Sequence, residues 1–367
     1  MQLSTEERYR AWLYDALHGS GARMGALIAS YGSAESVFEA ARAGELTYTA
    51  GGRTQSAEKA LLAAATPSRV DVLLEGYERL GITPVSRASA DYPTLLKEIY
   101  DPPEMLLVKG RLRADLRLPL AVIGTRKCTA YGKSIAEQFG KELANAGACV
   151  ISGLAYGLDT EAARGALGTH SDYPTVAVLG CGIDVIYPAR HKSEYQSIVE
   201  RGAVVSEYLP GVRPLRSNFP QRNRIISGMA KGTVVIEAGE RSGTSITVGF
   251  ALEQGRDVFA VPGRTTDAQS AGTNRFIRDG YAKLVLSPQD VLCEYGVEST
   301  AEAVHSVDYA ALPAEQALIC KLLSVEERNF DELCVLTSLP AARLNSILTA
   351  MEFSGIIRQM SGRMYRL

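Results

Sequence analysis

Seven short apolar runs divide the chain between residue 119 and about residue 287 into a repeating order of strand, glycine-rich turn and helix. The runs are continuous in Val, Ile, Leu and Ala rather than alternating with polar residues, which is typical of strands buried on both faces of a sheet. They occupy residues 120–123, 148–151, 176–179, 203–205, 233–236, 258–261 and 284–286. The intervening segments predict helices at roughly 132–146, 156–168, 191–200, 221–231 and 243–255. This alternation predicts an α/β fold with a doubly wound parallel sheet.

The residues before this repeat follow a different pattern. Residues 1–85 are rich in Ala, Leu and Glu, with breaks at Gly19-Ser20-Gly21 and Tyr31-Gly32-Ser33. They predict a small helical domain similar to a helix-hairpin-helix module, which either has a modest interaction role or only supports the sheet. Residues 86–118 place turn residues between short apolar runs. We assign them, together with the repeat, to one domain of residues 86–296.

The C-terminal part of the chain predicts a further domain. Residues 297–310 are polar and aperiodic, which indicates a linker. Residues 311–367 contain three short helical patterns, followed by two alternating segments that meet at Ser361-Gly362. Helices followed by a β-hairpin predict a winged-helix domain.

Composition narrows the class of protein. The hydrophobic fraction is 46%, the charged fraction is 22% and the net charge is -2, which is ordinary for a globular protein. The sequence has no run of 18 apolar residues, and residues 1–7 lack the features of a secretory signal, so we expect a cytoplasmic protein. Six cysteines without a C-x-x-C pair and four histidines without ligand spacing favour reduced thiols and no metal site.

Positive charge is concentrated in two segments that contain no carboxylate. One runs from Tyr208 to Ile236 and the other from Leu116 to Ala136. Such local excess in a nearly neutral protein indicates a polyanion partner, most simply a phosphate chain. In the first segment the candidate binding residues lie at the start of a predicted helix, and they are Phe219, Arg222, Asn223 and Arg224.

Loops that follow the predicted strands carry further groups suited to anions. Ligands of open α/β sheets bind at the carboxyl ends of the strands, where helix N-termini present backbone amides. The candidates are Gly124, Thr125, Arg126, Lys127, Ser152, Gly153, Arg190, Ser242, Gly243 and Thr244. Structural roles stay open for some positions: a simple helix cap at Ser152-Gly153, a solvated Arg190, and pairing of Arg241 with a neighbouring glutamate.

Nucleotide cofactors and catalysis find little support in the sequence. Gly132-Lys133-Ser134 resembles the end of a P-loop, but the first glycine of that motif is replaced by Lys127. Gly180-Cys181-Gly182 lacks the third glycine of a dinucleotide fingerprint, because position 185 is Val185. Two carboxylates lie near the loops, Asp159 and Glu237. The sequence indicates no histidine or lysine that would act with either of them in catalysis. The sequence therefore favours binding over chemistry, with no cofactor and no catalytic residue.

These motifs occur in an order that resembles the bacterial DNA-processing protein family called DprA or Smf. The resemblance extends over roughly residues 90–285 and is carried by segments 122–126 (VIGTR), 152–159 (SGLAYGLD), 179–184 (LGCGID), 187–188 (YP), 219–228 (FPQRNRIISG), 241–243 (RSG) and 261–263 (VPG). The flanking segments are similar to the helical domain of that family, SAM-like or helix-hairpin-helix-like, and to its winged helix.

The resemblance implies a Rossmann-like domain that binds single-stranded DNA. It implies a non-enzymatic recombination mediator that protects incoming DNA during natural transformation and loads the recombinase RecA onto strands covered by single-strand-binding protein. It also implies a homodimer formed through the Rossmann-like domain. The family's DNA-contacting arginine falls on Arg126, and its basic segment falls on Arg222, Asn223 and Arg224.

Two positions depart from the family pattern. Thr125 stands where serine is usual, and it keeps the hydroxyl. Ala189-Arg190-His191 stands where a lysine and then an asparagine are common, so Arg190 is the candidate replacement for the lysine.

Two other hypotheses compete with this one. Glu237 with Gly243 and Thr244 is faintly similar to the arrangement in Rossmann-like nucleotide phosphoribohydrolases of the lysine-decarboxylase-like type. Alternatively the winged helix is the principal DNA reader. Its predicted final helix, 340–354, offers only Arg343 as a base-contacting cation, which is little for major-groove recognition.

Overall fold

The computed structural model describes residues 3–46, 65–240, 242–297, 312–324, 326–354, 356–360 and 362–367. Arg241, Ser361 and nearly all of the predicted linker at 297–310 lie outside these ranges. The chain divides into two compact units, Met1–Glu298 and Ser299–Leu367.

The sheet of the first unit positions everything else. Its strands are β1 (Thr83–Ser86), β2 (Met105–Gly110), β3 (Pro119–Ile123), β4 (Cys149–Ser152), β5 (Thr175–Leu179), β6 (Ala203–Ser206), β7 (Gly232–Val235), β8 (Asp257–Ala260) and β9 (Lys283–Leu284). Their spatial order is β1-β2-β6-β5-β4-β3-β7-β8-β9. Strands β3 to β9 are parallel, which confirms the predicted parallel sheet. Because β3 lies between β4 and β7, the strand order reverses beside it, where open α/β sheets form their ligand crevice.

An antiparallel edge extends the sheet beyond the predicted strands. β2 pairs antiparallel with β6, and β1 pairs antiparallel with β2. The sequence indicated only an apolar run at Met105–Val108, because the four-residue β1 contains Pro84 and is too short to give a periodic signal. Proline is tolerated on such an outer strand, since one side of it makes no ladder hydrogen bonds.

Helices cover both faces of the sheet. Numbered after the four helices of the described N-terminal residues, which are given below, they are α5 (Thr94–Lys97), α6 (Ala130–Asn145), α7 (Leu158–Leu167), α8 (Lys192–Arg201), α9 (Asn218–Gly228), α10 (Thr244–Glu253), α11 (Ala271–Arg278) and α12 (Pro288–Glu294). Successive residues of β3 point to opposite faces: Leu120 and Val122 join the core beneath α6 and α7, whereas Ala121 and Ile123 join the core beneath α9 and α10. Burial on both sides explains the continuous apolar runs and confirms the doubly wound arrangement.

Two glycines bring α6 and α7 unusually close together. A Cβ atom on Gly140 would collide with the backbone of Ala162, and one on Gly165 would collide with the backbone of Glu137. The helices therefore pack backbone to backbone at this crossing. Since α6 and α7 follow β3 and β4, this contact fixes the relative position of the two loops that precede them.

The N-terminal helices share a core with the sheet. In the described part they are α1 (Thr5–Ala16), α2 (Gly21–Tyr31), α3 (Ala34–Ala43) and α4 (Pro67–Arg79). Trp12 and Phe38 meet edge to face, with ring centroids 5.1 Å apart. The same apolar cluster includes Leu107 of β2 and Ile198 of α8. These helices thus support the sheet through continuous apolar packing.

The second unit has its own core and a small sheet. Its elements are α13 (Ala314–Leu323), β10 (Arg328–Asn329), α14 (Phe330–Thr337), α15 (Ala341–Phe353), β11 (Arg358–Met360) and β12 (Met364–Arg366). The strand order is β10-β12-β11, and β11 and β12 form the predicted antiparallel hairpin. Helices followed by this hairpin make a winged helix, as predicted.

Among the described residues, no single helix is long and apolar enough to cross a membrane. One pair, Phe330–Thr337 with Ala341–Glu352, reaches that length only when joined, and it is bent by 112°.

Candidate nucleic-acid interface

An open cleft of about 780 Å³ lies at the carboxyl ends of β3 and β7, where the strand order reverses. Five segments distant in sequence line it: the β3–α6 loop, the β4–α7 segment, the segment before α8, the start of α9 with the residues just before it, and the start of α10. The predicted residues that line it are Gly124, Thr125, Arg126, Lys127, Phe219, Arg222, Asn223, Ser242, Gly243 and Thr244. Ser152, Gly153, Arg190 and Arg224 are not part of its lining.

Arg126 and Lys127 are exposed at the rim of the cleft. Neither has an ion-pair partner among the described residues. The loop that carries them is fixed by its backbone, because the Thr125 amide donates to the carbonyl oxygen of Glu237 at 2.9 Å. The Thr125 hydroxyl accepts the amide of Lys127 at 3.2 Å. Both cations are thus held on an ordered turn with their charges free for an anion.

Aromatic rings form one wall of the cleft. Phe219 lies in the first turn of α9, and its ring centroid is 5.7 Å from that of Tyr187. Tyr187 keeps 37% of its surface exposed. The guanidinium carbon of Arg126 lies 5.1 Å from the Phe219 centroid, a cation–π distance. Flat apolar faces next to free cations are what a nucleic-acid base and its phosphate require.

Gly180 has a packing role rather than a nucleotide-binding one. A Cβ atom at this position would lie 2.9 Å from the Phe219 ring. The glycine therefore lets the aromatic ring sit against the end of β5. This explains the glycine after the strand without a dinucleotide.

Arg222 forms the floor of the cleft. It is only 3% exposed, and its Nη1 donates to the carbonyl oxygens of Gly153, at 2.9 Å, and of Val178. Burial lowers the pKa of Arg222 to about 10, against the attraction of Asp159, so the guanidinium remains charged at neutral pH. Burial raises the pKa of Asp159, while the charge of Arg222 and the amide of Gly153 oppose that rise. A buried positive charge thus underlies the cleft.

Ser152 and Gly153 lie beneath this floor and face the protein. Ser152 is fully buried, and the Gly153 amide donates to the Asp159 carboxylate at 3.0 Å. The Gly153 carbonyl accepts from Arg222. The backbone of Gly153 therefore holds Arg222 and Asp159 in place instead of opening into the cleft.

The start of α10 is an uncapped helix N-terminus at the cleft. Gly243 is its N-cap residue, no side chain caps it, and its first turn contains no acidic residue. The buried hydroxyls of Ser242 and Ser245 have no hydrogen-bond partner among the described residues. Uncapped amides, hydroxyls without a partner and a positive helix end together favour a phosphate group.

The start of α6 is filled by the protein itself. The hydroxyl of Thr129 accepts the Gly132 amide at 2.9 Å, and the carboxylate of Glu237 accepts the Thr129 amide at 3.0 Å. Glu237 is 3% exposed and does not line the cleft. The hydrolase hypothesis needs this carboxylate to reach a substrate, and its burial against α6 removes that support.

Arg224 lies on the other side of α9 from the cleft. It pairs with Glu207 at 2.7 Å and with Asp101 at 3.1 Å, and its side chain is 12% exposed. Asn223 stays with the cleft, where its Oδ1 accepts the Nε of Arg222 at 3.3 Å. The basic segment therefore divides between two environments.

Arg190 is exposed and stacks on Tyr156, with its guanidinium carbon 4.1 Å from the ring centroid. Its neighbour His191 is buried and lies 3.2 Å from both the Thr160 hydroxyl and the Leu154 carbonyl. Arg190 thus projects outside the cleft from a rigid base.

The cleft lining also includes residues outside the predicted site, and two of them, Tyr187 and Arg216, offer groups that suit a nucleic acid. Tyr187 follows a strand and precedes a proline, and Arg216 lies in the acid-free segment between Tyr208 and Ile236. The absence of carboxylates around Arg216 marked it as part of a basic segment. Which cations of that segment line the cleft is visible only in the folded structure.

Comparison with known proteins gives a consistent result. The sequence matches the family model of DNA recombination-mediator protein A over residues 83–296 and that of the DprA winged helix domain over residues 305–363. It is 46% identical to the DNA processing protein DprA of Streptococcus pneumoniae over 205 residues, which cover 56% of this chain and 71% of that protein. It is 37% identical to protein Smf of Escherichia coli over 285 residues, 75% of each chain.

Two solved structures share the fold. The X-ray structure of DprA from Streptococcus pneumoniae superposes with a TM-score of 0.64 at 34% identity, covering 80% of this chain and 99% of that one. A DprA structure from Helicobacter pylori, described for its single-stranded DNA binding mode, gives a TM-score of 0.52 at 27% identity, covering 58% of this chain and 95% of that one.

Proposed function

The chain belongs to the DNA recombination-mediator protein A family, and on that premise we propose that it is a non-enzymatic, cytoplasmic protein that binds single-stranded DNA. We propose further that it protects incoming DNA during natural transformation and loads RecA onto strands covered by single-strand-binding protein. The observation that carries the binding proposal is the cleft at the reversal of strand order. There, free cations, an aromatic wall and an open helix N-terminus converge.

Phosphates would contact the rim and the start of α10. Arg126 and Lys127 would supply charge from the ordered β3–α6 turn, and Arg216 would supply it from the segment before α9. The amides at Gly243 and Thr244, with the hydroxyl of Ser242, supply neutral donors. Such contacts to the backbone bind without regard to sequence.

A base would stack on the aromatic wall. Phe219 and Tyr187 offer two tilted rings, and a stacked base contributes about 1–3 kcal/mol in proteins that bind single strands. Duplex DNA keeps its bases stacked on one another, so this wall favours a single strand.

The remaining predicted residues take indirect or outlying roles. Arg222 would contribute a buried charge, Asn223 and Gly153 would orient its guanidinium, and the buried Ser152 would have a structural role. Arg224 is neutralised by two carboxylates, so we propose a structural role for it. Arg190 would contact a strand that continues beyond the cleft.

The composition of α10 supports the homodimer. This helix has no charged residue before Glu253, and Ile246 and Leu252 are exposed by 41% and 42%. A surface helix that is apolar on all sides is normally covered. A second copy of this chain is the partner that we propose for it.

Salt-dependent binding tests the cleft. With about five phosphate contacts, the log-log slope of affinity against salt should be about -3.5 for a labelled single-stranded oligonucleotide. We expect Arg126→Ala/Lys127→Ala to reduce the slope to roughly -2 and to lower the low-salt affinity at least about tenfold. The control is Arg79→Ala/Lys141→Ala, which removes two exposed cations from helices outside the cleft. Equal binding by both double variants would overturn the assignment.

RecA loading requires its own measurement. We expect the wild type to shorten the lag of RecA filament assembly on strands coated with single-strand-binding protein, and the Arg126→Ala/Lys127→Ala variant to leave the lag long. A wild type that binds DNA but leaves the lag unchanged would remove the RecA proposal and keep the binding one. Incubation with nucleoside monophosphates should release no free base.

A further inference from the structure

The last two residues of β2 and the loop that joins it to β3, together residues 109–118 and here called the connector, run across the end of the sheet opposite the cleft. The Arg111 amide donates to the carbonyl of Gly202, which precedes β6, at 2.9 Å. Arg113 stacks over Tyr173, which precedes β5, at 4.6 Å from its ring centroid. Next along the edge, Arg117 lies against Gly147, which precedes β4. The connector thus crosses the starts of three strands in turn.

Leucines anchor this connector and arginines point away from it. Leu112 and Leu118 are buried, and Leu116 packs against the core beneath α9 and α10. Arg111 and Arg117 are exposed between them. Because the leucines fix the backbone, the cations are displayed in a row along the edge of the sheet.

The charges of this row are not neutralised by the protein. Lys109, Arg111, Arg113 and Arg117 have no carboxylate within ion-pair distance among the described residues. The single acid of the connector, Asp115, accepts the hydroxyl of Thr94 at 2.6 Å.

Other arginines of the same unit form ion pairs with carboxylates. Arg164, Arg224 and Arg256 each pair with at least one glutamate. Exposed Lys231, which precedes β7, adds a further cation to the edge, and exposed Asp172 adds one carboxylate beside Tyr173. The edge therefore keeps a net positive charge.

We propose that this connector is a second phosphate-binding surface, which holds a further length of the single strand bound in the cleft. The inference rests on the proposed function and extends it. At about 4.8 Å between strands, the row from Arg111 to Arg117 spans about 10 Å. That length matches about three successive phosphates of a stacked strand.

The surroundings of the row favour a nucleic acid over an acidic protein segment. Protein interfaces place apolar and aromatic side chains at their centre. None of the large exposed apolar side chains belongs to residues 109–118, or to Gly147, Tyr173 and Gly202, which the connector crosses. Contacts made through charge alone suit the phosphate backbone.

The test compares short and long strands. The variant Arg111→Gln/Arg117→Gln removes two exposed charges and spares Arg113, whose stack on Tyr173 is structural. Its control, Arg79→Gln/Lys141→Gln, removes the same charge from exposed helical positions. Probes are labelled oligo-dT of about 10 and about 40 nucleotides, a duplex of the longer length, and poly-glutamate. These lengths are order-of-magnitude choices from the site sizes of single-strand binders.

We expect the connector variant to bind the short strand like the wild type. On the long strand its affinity should fall roughly fivefold and its salt slope should shrink by about 1.4, or about 0.7 per lost contact. Long-strand binding equal to that of the control would overturn the proposal, as would a loss confined to duplex or to poly-glutamate. Failure of the cleft itself has a different signature, because Arg126→Ala/Lys127→Ala would then leave short-strand binding intact.

Discussion

The helices α6 and α10 follow the neighbouring strands β3 and β7 and begin at the same edge of the sheet, yet their N-termini differ. Thr129 caps α6, and the buried carboxylate of Glu237 lies against its first turn. Gly243 begins α10 without a side-chain cap or an acidic residue. One helix end therefore has an anion supplied by the protein, and the other is open.

This difference shows that a helix start after a parallel strand is not by itself an anion site. Both ends have the same backbone geometry and the same positive partial charge. Whether a helix N-terminus can bind an external anion depends on whether a carboxylate from another part of the fold already contacts it. Glu237 comes from the end of β7, so the strand that carries the open helix supplies the anion for its neighbour.

Removing the internal anion should have the largest effect. Glu237→Gln places an amide against the donors of Thr129 in a buried site, and we expect a loss of about 2–3 kcal/mol in the free energy of unfolding. The exposed neighbour Glu240 provides the control, Glu240→Gln. Urea unfolding measures both. If the two variants were equally stable, Glu237 would not be what holds the start of α6.

Supplying an anion to the open helix end should separate stability from binding. Aspartate is a good N-cap residue, so Gly243→Asp should leave the fold as stable as the wild type or more stable. Its carboxylate repels a phosphate at the same place, and we expect roughly tenfold weaker binding of a single strand. Gly243→Asn has the same size without the charge and should bind almost normally. Equal affinities for the two variants would contradict a phosphate at α10.

A third helix start gives the smallest effect and a test of pH. In α12 the amides of Leu286 and Ser287 donate to Asp290 at 2.7 and 2.9 Å, and they lower the pKa of this carboxyl. A lowered pKa means that the stabilisation is present above the ordinary carboxyl value and is lost as pH falls through the lowered one.

We therefore expect Asp290→Asn to cost about 0.5–1 kcal/mol at pH 7, a modest figure because the site is open to solvent. The difference from the wild type should shrink as the pH falls below the ordinary carboxyl range and vanish once Asp290 is protonated, as followed by urea unfolding across pH. A gap that stays constant with pH would mean that the charge of Asp290 contributes nothing.

The parallel sheet could be predicted from the sequence, because strands that are buried on both faces consist of continuous apolar runs. The sequence also placed the β3–α6 loop and the starts of α9 and α10 at one edge, since parallel strands all end there. The antiparallel pairing of β2 with β6 could not be predicted, because nothing local to Met105–Gly110 specifies a partner about 100 residues away.

The roles of individual arginines were harder to predict. The predicted helix began at residue 221, whereas α9 begins at Asn218, so Arg222 and Arg224 lie in its second turn. Residues two apart on a helix point about 200° away from each other. Arg222 therefore turns into the cleft floor and Arg224 turns towards Glu207. Whether a cation is free or paired depends on acids contributed by distant segments.

The burial of Arg222 affects how the cleft should behave in concentrated salt. At 1 M ionic strength the Debye length is about 3 Å, and mobile ions screen the exposed charges of Arg126 and Lys127. They cannot surround a guanidinium enclosed by the carbonyls of Gly153 and Val178. At this salt concentration the charge of Arg222 should therefore still act inside the cleft, whereas the cations of the rim no longer attract an anion. We therefore expect the cleft to keep a short-range attraction for anions at salt concentrations that screen the charges of its rim.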